Sequence, residues 1–200
     1  MKVSVILAHP DKNSFNHAVA AKAVDVLRNG NHDVIFHDLH REKFPPVIPA
    51  REIPRGAYLP PVIARYCAEI AEAEGIIIVH PNWWGQPPAI LKGWIDRVLR
   101  PGVAYTFAEG DKGDGALIGL LKAETVLVFN TSNAPAEREL TMYGDPLENL
   151  WKNNMLVSCG AKNYYRKNFG IVITSTLEQR QKWLEEAGEI VERYFPKAAR

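Results

Sequence analysis

The chain of 200 residues is 46% hydrophobic and 24% charged, enough to bury a core in one domain or two small ones, which excludes disorder and collagen-like repeats. Lys and Arg number 24 against 23 Asp and Glu, a formal charge of +1, and basic residues are nowhere concentrated, so the electrostatic footprint of a nucleic-acid binder is missing.

Residues 3–8 form a short apolar run bounded by His9-Pro10-Asp11, a buried strand ending in a loop. The run is too short for a signal-peptide core, and none later approaches the ~18 apolar residues of a membrane span, so no integral membrane segment and no export are expected. Val19, Ala23, Val26 and Leu27 recur at helical spacing up to a stop at Asn29-Gly30, and residues 33–37 read as a second strand. Between positions 44 and 61 six prolines each remove a backbone donor, which predicts an ordered excursion without regular structure inside a single 1–200 domain. Val62, Ile63, Tyr66, Cys67 and Ile70 give a helical stripe, and Ile76-Ile77-Ile78-Val79 is a strand of the kind covered on both faces. A helix follows Pro87-Pro88 with the stripe Ile90, Leu91, Trp94, Ile95, Val98 and Leu99. Beyond a Gly/Asp-rich stretch at 109–115, residues 125–130 read as a fourth strand and 146–158 as helical. A fifth strand is expected within 163–173, centred on Gly170-Ile171-Val172-Ile173, and residues 178–194 form a last helix. Strands alternating with helices imply a parallel, doubly wound α/β sheet with right-handed crossovers. Cys67 and Cys159 lie far apart in no metal-like spacing, which argues against a disulfide scaffold and a zinc site and fits a reducing cytoplasm.

In such sheets ligands bind beyond the carboxyl ends of the strands. The loop after the first strand, residues 9–17, lacks the Gly-x-Gly-x-x-Gly dinucleotide fingerprint, but Asn13, Ser14 and Asn16 put polar groups at a helix N-terminus, where a single phosphate is favoured. The alternative is that Ser14 or Asn16 caps the helix and His9 bonds the loop. The loop after the third strand, residues 80–88, sets Trp83 and Trp84 between polar residues and a Gly/Pro turn, either as a stacking wall for a planar ligand or as plugs of core and surface. The loop after the fourth, residues 131–135, offers small residues whose backbone N–H groups can face a ring edge. Tyr105 and Phe107 read as a short strand packing two aromatics, and His17, His32, His37 and His40 as surface or structural groups that make no metal cluster.

Taken together, Ala8-His9-Pro10 with Ser14-Phe15-Asn16, the run from Pro81 to Val98 with Trp83-Trp84 and Leu91-Lys92-x-Trp94-Ile95-Asp96-Arg97, and Ala104-Tyr105-Thr106-Phe107 resemble the flavodoxin-like NAD(P)H:quinone oxidoreductases. That is the DT-diaphorase group, which includes bacterial modulator-of-drug-activity proteins and ancillary flavoproteins of potassium-efflux systems. The resemblance implies five parallel strands in the order 2-1-3-4-5 with helices on both faces, and a homodimer reducing a quinone-like acceptor by a ping-pong, two-electron reaction. It implies FMN, with FAD possible, and NAD(P)H as reductant. By the same likeness His9, Ser14, Phe15 and Asn16 hold the flavin phosphate and ribityl chain. Pro81, Asn82, Trp83, Trp84 and Gly85 line one side of the ring, and Thr131, Ser132, Asn133 and Ala134 meet its pyrimidine end. Tyr105 and Phe107 line the substrate site, often across a dimer interface.

Two departures stand out. The family's Thr-Thr-Gly-Gly is Thr131-Ser132-Asn133-Ala134 here, and between Ala134 and Cys159 there is no histidine and only Tyr143 as a tyrosine, so no residue is assigned as acid or base. The competing reading is a non-catalytic or regulatory flavoprotein subunit that senses redox state.

Overall fold

In a computed structural model, which describes residues 1–108, 110 and 115–197, five strands form one parallel sheet. They are β1 (Lys2–Leu7), β2 (Asp33–Asp38), β3 (Gly75–Pro81), β6 (Thr125–Ser132) and β7 (Asn163–Gly170), in the spatial order β2-β1-β3-β6-β7. That is the order 2-1-3-4-5 of the sheet strands. Two more strands, β4 (Tyr105–Phe107) and β5 (Leu117–Gly119), make a separate antiparallel ribbon. Of the stretch at 109–115, all but Gly110 and Gly115 lies outside the described residues.

The alternation of side chains along a strand sorts the core into two clusters. Ile76, Ile78, Val126 and Val128 pack with Ile63, Tyr66 and Ile70 of α2 (Pro61–Glu72) and with Leu91, Trp94 and Val98 of α3 (Ala89–Val98). Val3, Val5, Ile77, Val79, Leu127 and Phe129 pack with Val19, Ala23 and Leu27 of α1 (Phe15–Asn29) and with Ala187, Ile190 and Val191 of α6 (Leu177–Tyr194). The central strand β3 is buried throughout because both clusters claim it. Trp183 and Leu184 explain the helical stripe of α6, which starts behind a Thr176 cap whose hydroxyl accepts the Gln179 N–H.

The proline-rich excursion is ordered by a buried ion pair. Arg97 of α3 donates to both carboxylate oxygens of Glu52, at 2.5 and 3.0 Å, and also to the Pro45 carbonyl. Gly93 lets the excursion approach α3: a Cβ there would sit 2.2 Å from the Pro46 carbonyl oxygen.

Three expectations are corrected. The fifth sheet strand is centred well before Gly170-Ile173; Ile171 takes a left-handed conformation (φ +58°) and 172–174 turn as a 3-10 helix, so that apolar run ends the strand instead of forming it. A helix absent from the sequence reading, α4 (Ala136–Tyr143), precedes α5 (Pro146–Glu148), which runs on as a π-helix over Asn149–Leu156. The ribbon β4–β5 interrupts the simple alternation. No helix among the described residues is long and apolar enough to cross a membrane. Cys67 and Cys159 are free and buried, and burial pushes each thiol up to about 11.

Candidate active site

The loops after β1, β3 and β6 are brought side by side because those strands are neighbours in the sheet. Backbone hydrogen bonds continue the ladder past the strand ends, from Ala8 N–H to the Val79 carbonyl (2.9 Å) and from Asn82 N–H to the Thr131 carbonyl (2.7 Å). Side chains then cross-link the loops. Asn16, 2% exposed, donates to the Thr131 hydroxyl at 2.8 Å, and the His9 ring lies 6.2 Å from that of Trp83.

The first loop is built on α1. Ser14 caps that helix, accepting the His17 N–H at 3.3 Å, and its hydroxyl also meets His17 Nδ1 at 2.9 Å. His17 Nε2 reaches Asp38 at 3.0 Å, and Asp38 accepts the N–H groups of His40 and Arg41. Capping by Ser14 is therefore observed, and Asp38 is occupied by a turn and an imidazole. His9 Nδ1 accepts the Asp11 N–H at 3.1 Å, and burial holds both His9 and His40 below the usual imidazole range. Asn16 Oδ1 and His40 Nε2 are shut off from solvent with no partner among the described residues. Phe15 points elsewhere, edge-on to Phe169 and tilted on Trp183, each at 5.8 Å. Of the histidines expected as surface or structural groups, His32 and His37 are buried and structural: His32 faces the Phe195 carbonyl, and His37 lies between Glu42 and Glu69.

The second loop is a tight hairpin. Trp83 and Gln86 exchange both backbone hydrogen bonds, with Trp84 (φ +58°) and Gly85 (φ +70°) between them. Two successive positive φ values are the geometry of a type I′ turn, where asparagine and glycine are the usual occupants. Asn82 steadies it by accepting the Gly85 N–H at 2.8 Å. Gly85 is required twice over, since a Cβ would also meet Pro146 at 3.0 Å. Trp84 is wholly exposed at 102% and Trp83 at 45%.

Between this hairpin and the loop after β6 opens a cavity of about 950 Å³. Asn82, Trp83, Trp84 and Gly85 line one part of it and Ser132, Asn133 and Ala134 another. Arg138, Glu139 and Tyr143 of α4, with Pro146, complete the wall. The sequence reading missed these last four residues, although Pro135 before α4, Glu137 and Glu139 in its first turn and Gly144 (φ +66°) after it are ordinary helix punctuation. Asn133 is tied down, its side-chain oxygen accepting the Ile173 N–H at 3.1 Å, and the Ser132 hydroxyl donates to the Ala134 carbonyl at 2.9 Å. His9, Ser14, Phe15, Asn16, Pro81 and Thr131 do not line the cavity. Nor do Tyr105 and Phe107, which pack edge to face at 5.7 Å on the separate ribbon.

A buried polar network supports this wall. His80, at the end of β3 and 0% exposed, receives the Trp151 indole N–H (3.0 Å) and the Asn130 amide (2.8 Å) on Nε2. An indole N–H only donates, so Nε2 carries no proton and Nδ1–H donates to the Pro81 carbonyl at 2.8 Å. Burial lowers the pKa of His80 to about 4, so the ring is neutral at pH 7. The Asn130 oxygen accepts from Arg166 (3.3 Å), and Arg166 pairs with Asp145 and with Glu148 (2.8 Å), fixing the α4–α5 junction to the sheet.

An open parallel sheet with a cavity beyond the ends of neighbouring strands defines an α/β protein of the class in which ligands bind at the carboxyl ends of the strands. The sequence profile described as "Flavodoxin-like fold" matches residues 1–190, and the chain belongs to that family. Among its relatives, an uncharacterized NAD(P)H oxidoreductase of Haemophilus influenzae is 30% identical, over 92% of this chain and 91% of its own. NAD(P)H dehydrogenase (quinone) 1 of Cavia porcellus is 33% identical over 78% of this chain, which spans 63% of that protein's length. The structure of an NAD(P)H:quinone oxidoreductase from Methanothermobacter marburgensis superposes with a TM-score of 0.83 at 25% identity, covering 96% of each chain.

Proposed function

We propose that the protein is a flavin-dependent NAD(P)H:quinone oxidoreductase of the cytoplasm, built as one flavodoxin-like domain with helices on both faces of its sheet. The observation that carries this is the strand-end cavity of about 950 Å³, with two tryptophans on one part of its wall and the Ser132–Ala134 loop on another. A flat ring system fits such a slot, and the protein's relatives bear oxidoreductase names.

The residues present fit FMN. Asn16 Oδ1 is a buried acceptor in want of a donor, and a ribityl hydroxyl supplies one. In this reading His9, Ser14 and Asn16 hold the phosphate and ribityl chain with the N-terminal N–H groups of α1, and Phe15 anchors that turn against α6. Pro81, Asn82, Trp83, Trp84 and Gly85 form one side of the ring site. Backbone N–H groups of Thr131, Ser132, Asn133 and Ala134 would hold the pyrimidine end of the ring as hydrogen-bond donors, an arrangement suited to favouring negative charge there. A bound flavin would supply the two-electron chemistry, which none of the described cavity-lining side chains carries. Donor and acceptor then use the same slot in turn, which makes the kinetics ping-pong.

A homodimer is part of the proposal. Leu140, Met142 and Tyr143 of α4 are all more than half exposed, and Tyr143 lines the cavity together with the bare Trp84, exposed apolar surface of the kind that marks an interface. Tyr105 and Phe107, remote from their own chain's cavity, would then serve the partner's.

The visible spectrum of the purified protein, chromatography of the released cofactor and the rate of NAD(P)H oxidation with a quinone test the whole reading. Removing the donors of Ser14 and Asn16 together should weaken FMN binding by roughly 0.5–1.5 kcal/mol for each bond lost. Unchanged affinity would refute the phosphate assignment, and bound flavin without turnover would favour a regulatory subunit.

A further inference from the structure

A second hollow, of about 270 Å³, lies between the proline-rich excursion and the end of α3 and shares no lining residue with the strand-end cavity. Among the described residues its charged lining consists of two arginines, Arg55 and Arg100; the rest of that lining is apolar side chain and glycine, with no carboxylate. Arg100 uses one guanidinium nitrogen, Nη2, to donate to the Glu52 carbonyl at 2.6 Å. Its other terminal nitrogen, Nη1, is closed off from solvent and has no acceptor among the described residues. The Glu52 carboxylate accepts from Arg97 on both oxygens, and among the described residues Arg100 reaches only the carbonyl of Glu52. Arg55 lies 4.6 Å over the Phe107 ring and makes no ion pair among the described residues. Gly56 and Gly102, at positive φ, leave open space where side chains would otherwise stand.

Two arginines line one hollow without a described carboxylate in its lining, and a buried donor without an acceptor carries its full desolvation cost. A water molecule accepts a hydrogen bond but leaves the charge uncompensated. An oxyanion does both, and the planar fork of arginine matches phosphate oxygens.

We propose that this hollow is an oxyanion subsite in which Arg100 and Arg55 bind a phosphate group, either free phosphate or the 2′-phosphate of NADPH. The site itself does not depend on the flavin reading; only the second of its two sources does.

The test uses protein saturated with FMN, so that the α1 loop is occupied, and inorganic phosphate followed by calorimetry and phosphorus NMR line width. One saturable site per chain is expected, weakened about tenfold or more by Arg100→Gln and by Arg55→Gln. Arg55 is exposed and only stacks on Phe107, so Arg55→Gln keeps the test meaningful even if Arg100→Gln fails to fold. NADP+ displacing phosphate where NAD+ does not identifies the dinucleotide as the source; displacement by neither identifies free phosphate. Absence of saturable phosphate binding, or binding that survives both substitutions, overturns the proposal. A chain that takes up no FMN would sink the flavin reading alone, since the arginine variants still separate the hollow from the α1 loop.

Discussion

His80 makes the stability of this protein depend on pH in a calculable way. Its pKa is lowered to about 4 in the folded chain by burial, against an ordinary imidazole value of 6.5. Between these values the unfolded chain binds a proton that the folded chain refuses, so stability rises with pH through this window and is lost as pH falls below 6.5. Integrating the difference from pH 7 to pH 5 gives a loss of roughly 2 kcal/mol from this one ring. For a chain of this size that is a fall in Tm of about 4–8 °C. His9 and His40 are shifted in the same direction, so the measurement must isolate His80. His80→Gln serves, because a glutamine oxygen still accepts from Trp151 or Asn130 without titrating. Urea unfolding of both proteins at pH 7, 6 and 5 should give a gap in stability that changes by roughly 2 kcal/mol over the range. Parallel pH dependences for the two proteins would refute the neutral, doubly accepting His80.

Gly85→Ala should cost about 1–2 kcal/mol from the left-handed backbone alone, with a further penalty from the contact to Pro146, and should weaken flavin binding; thermal melts and flavin fluorescence check both. Arg166→Met strands the partly buried carboxylates of Asp145 and Glu148, so roughly 2–3 kcal/mol of stability should be lost in urea titrations at pH 7, and Asp145→Asn in the same background should restore part of it. Initial-rate plots with NAD(P)H and a quinone should give parallel lines; intersecting lines with a ternary complex confirmed by dead-end inhibition would end the shared-slot mechanism. Light scattering at micromolar concentration should report a dimer, and a fully active monomer would count against the rim around Trp84 as an interface.

What the sequence showed and hid follows from how each element is covered. The run Ile76–Val79 is legible as a strand because β3 sits mid-sheet and needs apolar side chains on both faces. The edge strand β7 is only half covered, and its Asn163-Tyr164-Tyr165-Arg166-Lys167-Asn168 is outweighed to the eye by the more apolar Ile171-Val172-Ile173, which lies outside the sheet. Helix α4 buries none of its residues, so no stripe announces it, although its capping signals are present. The three loops were legible because strand order alone makes them neighbours. The network from His80 to Arg166 was not, since each member is an unremarkable polar residue until the register of β3, β6 and β7 sets His80 opposite Asn130 and brings Arg166 within reach.

Trp84 joins these threads. A bulky residue in the left-handed region costs about 1–2 kcal/mol relative to asparagine or glycine, and nothing among the described residues repays it, because the indole is wholly exposed. Local propensity thus argues against tryptophan at this turn, and core packing is silent about it. The supports around it all point one way: Asn82 clamps the turn, Pro146 packs beneath Gly85, and the His80 network fixes the Pro81 carbonyl just before it. Strain held in place by so many neighbours, with an uncovered aromatic face on the wall of the strand-end cavity, is what a stacking surface for a ligand or a partner subunit requires. On the proposed function the tryptophan is covered in the working protein by flavin or by a partner subunit, so the flavin and the dimer belong to one reading and stand or fall on the same few residues.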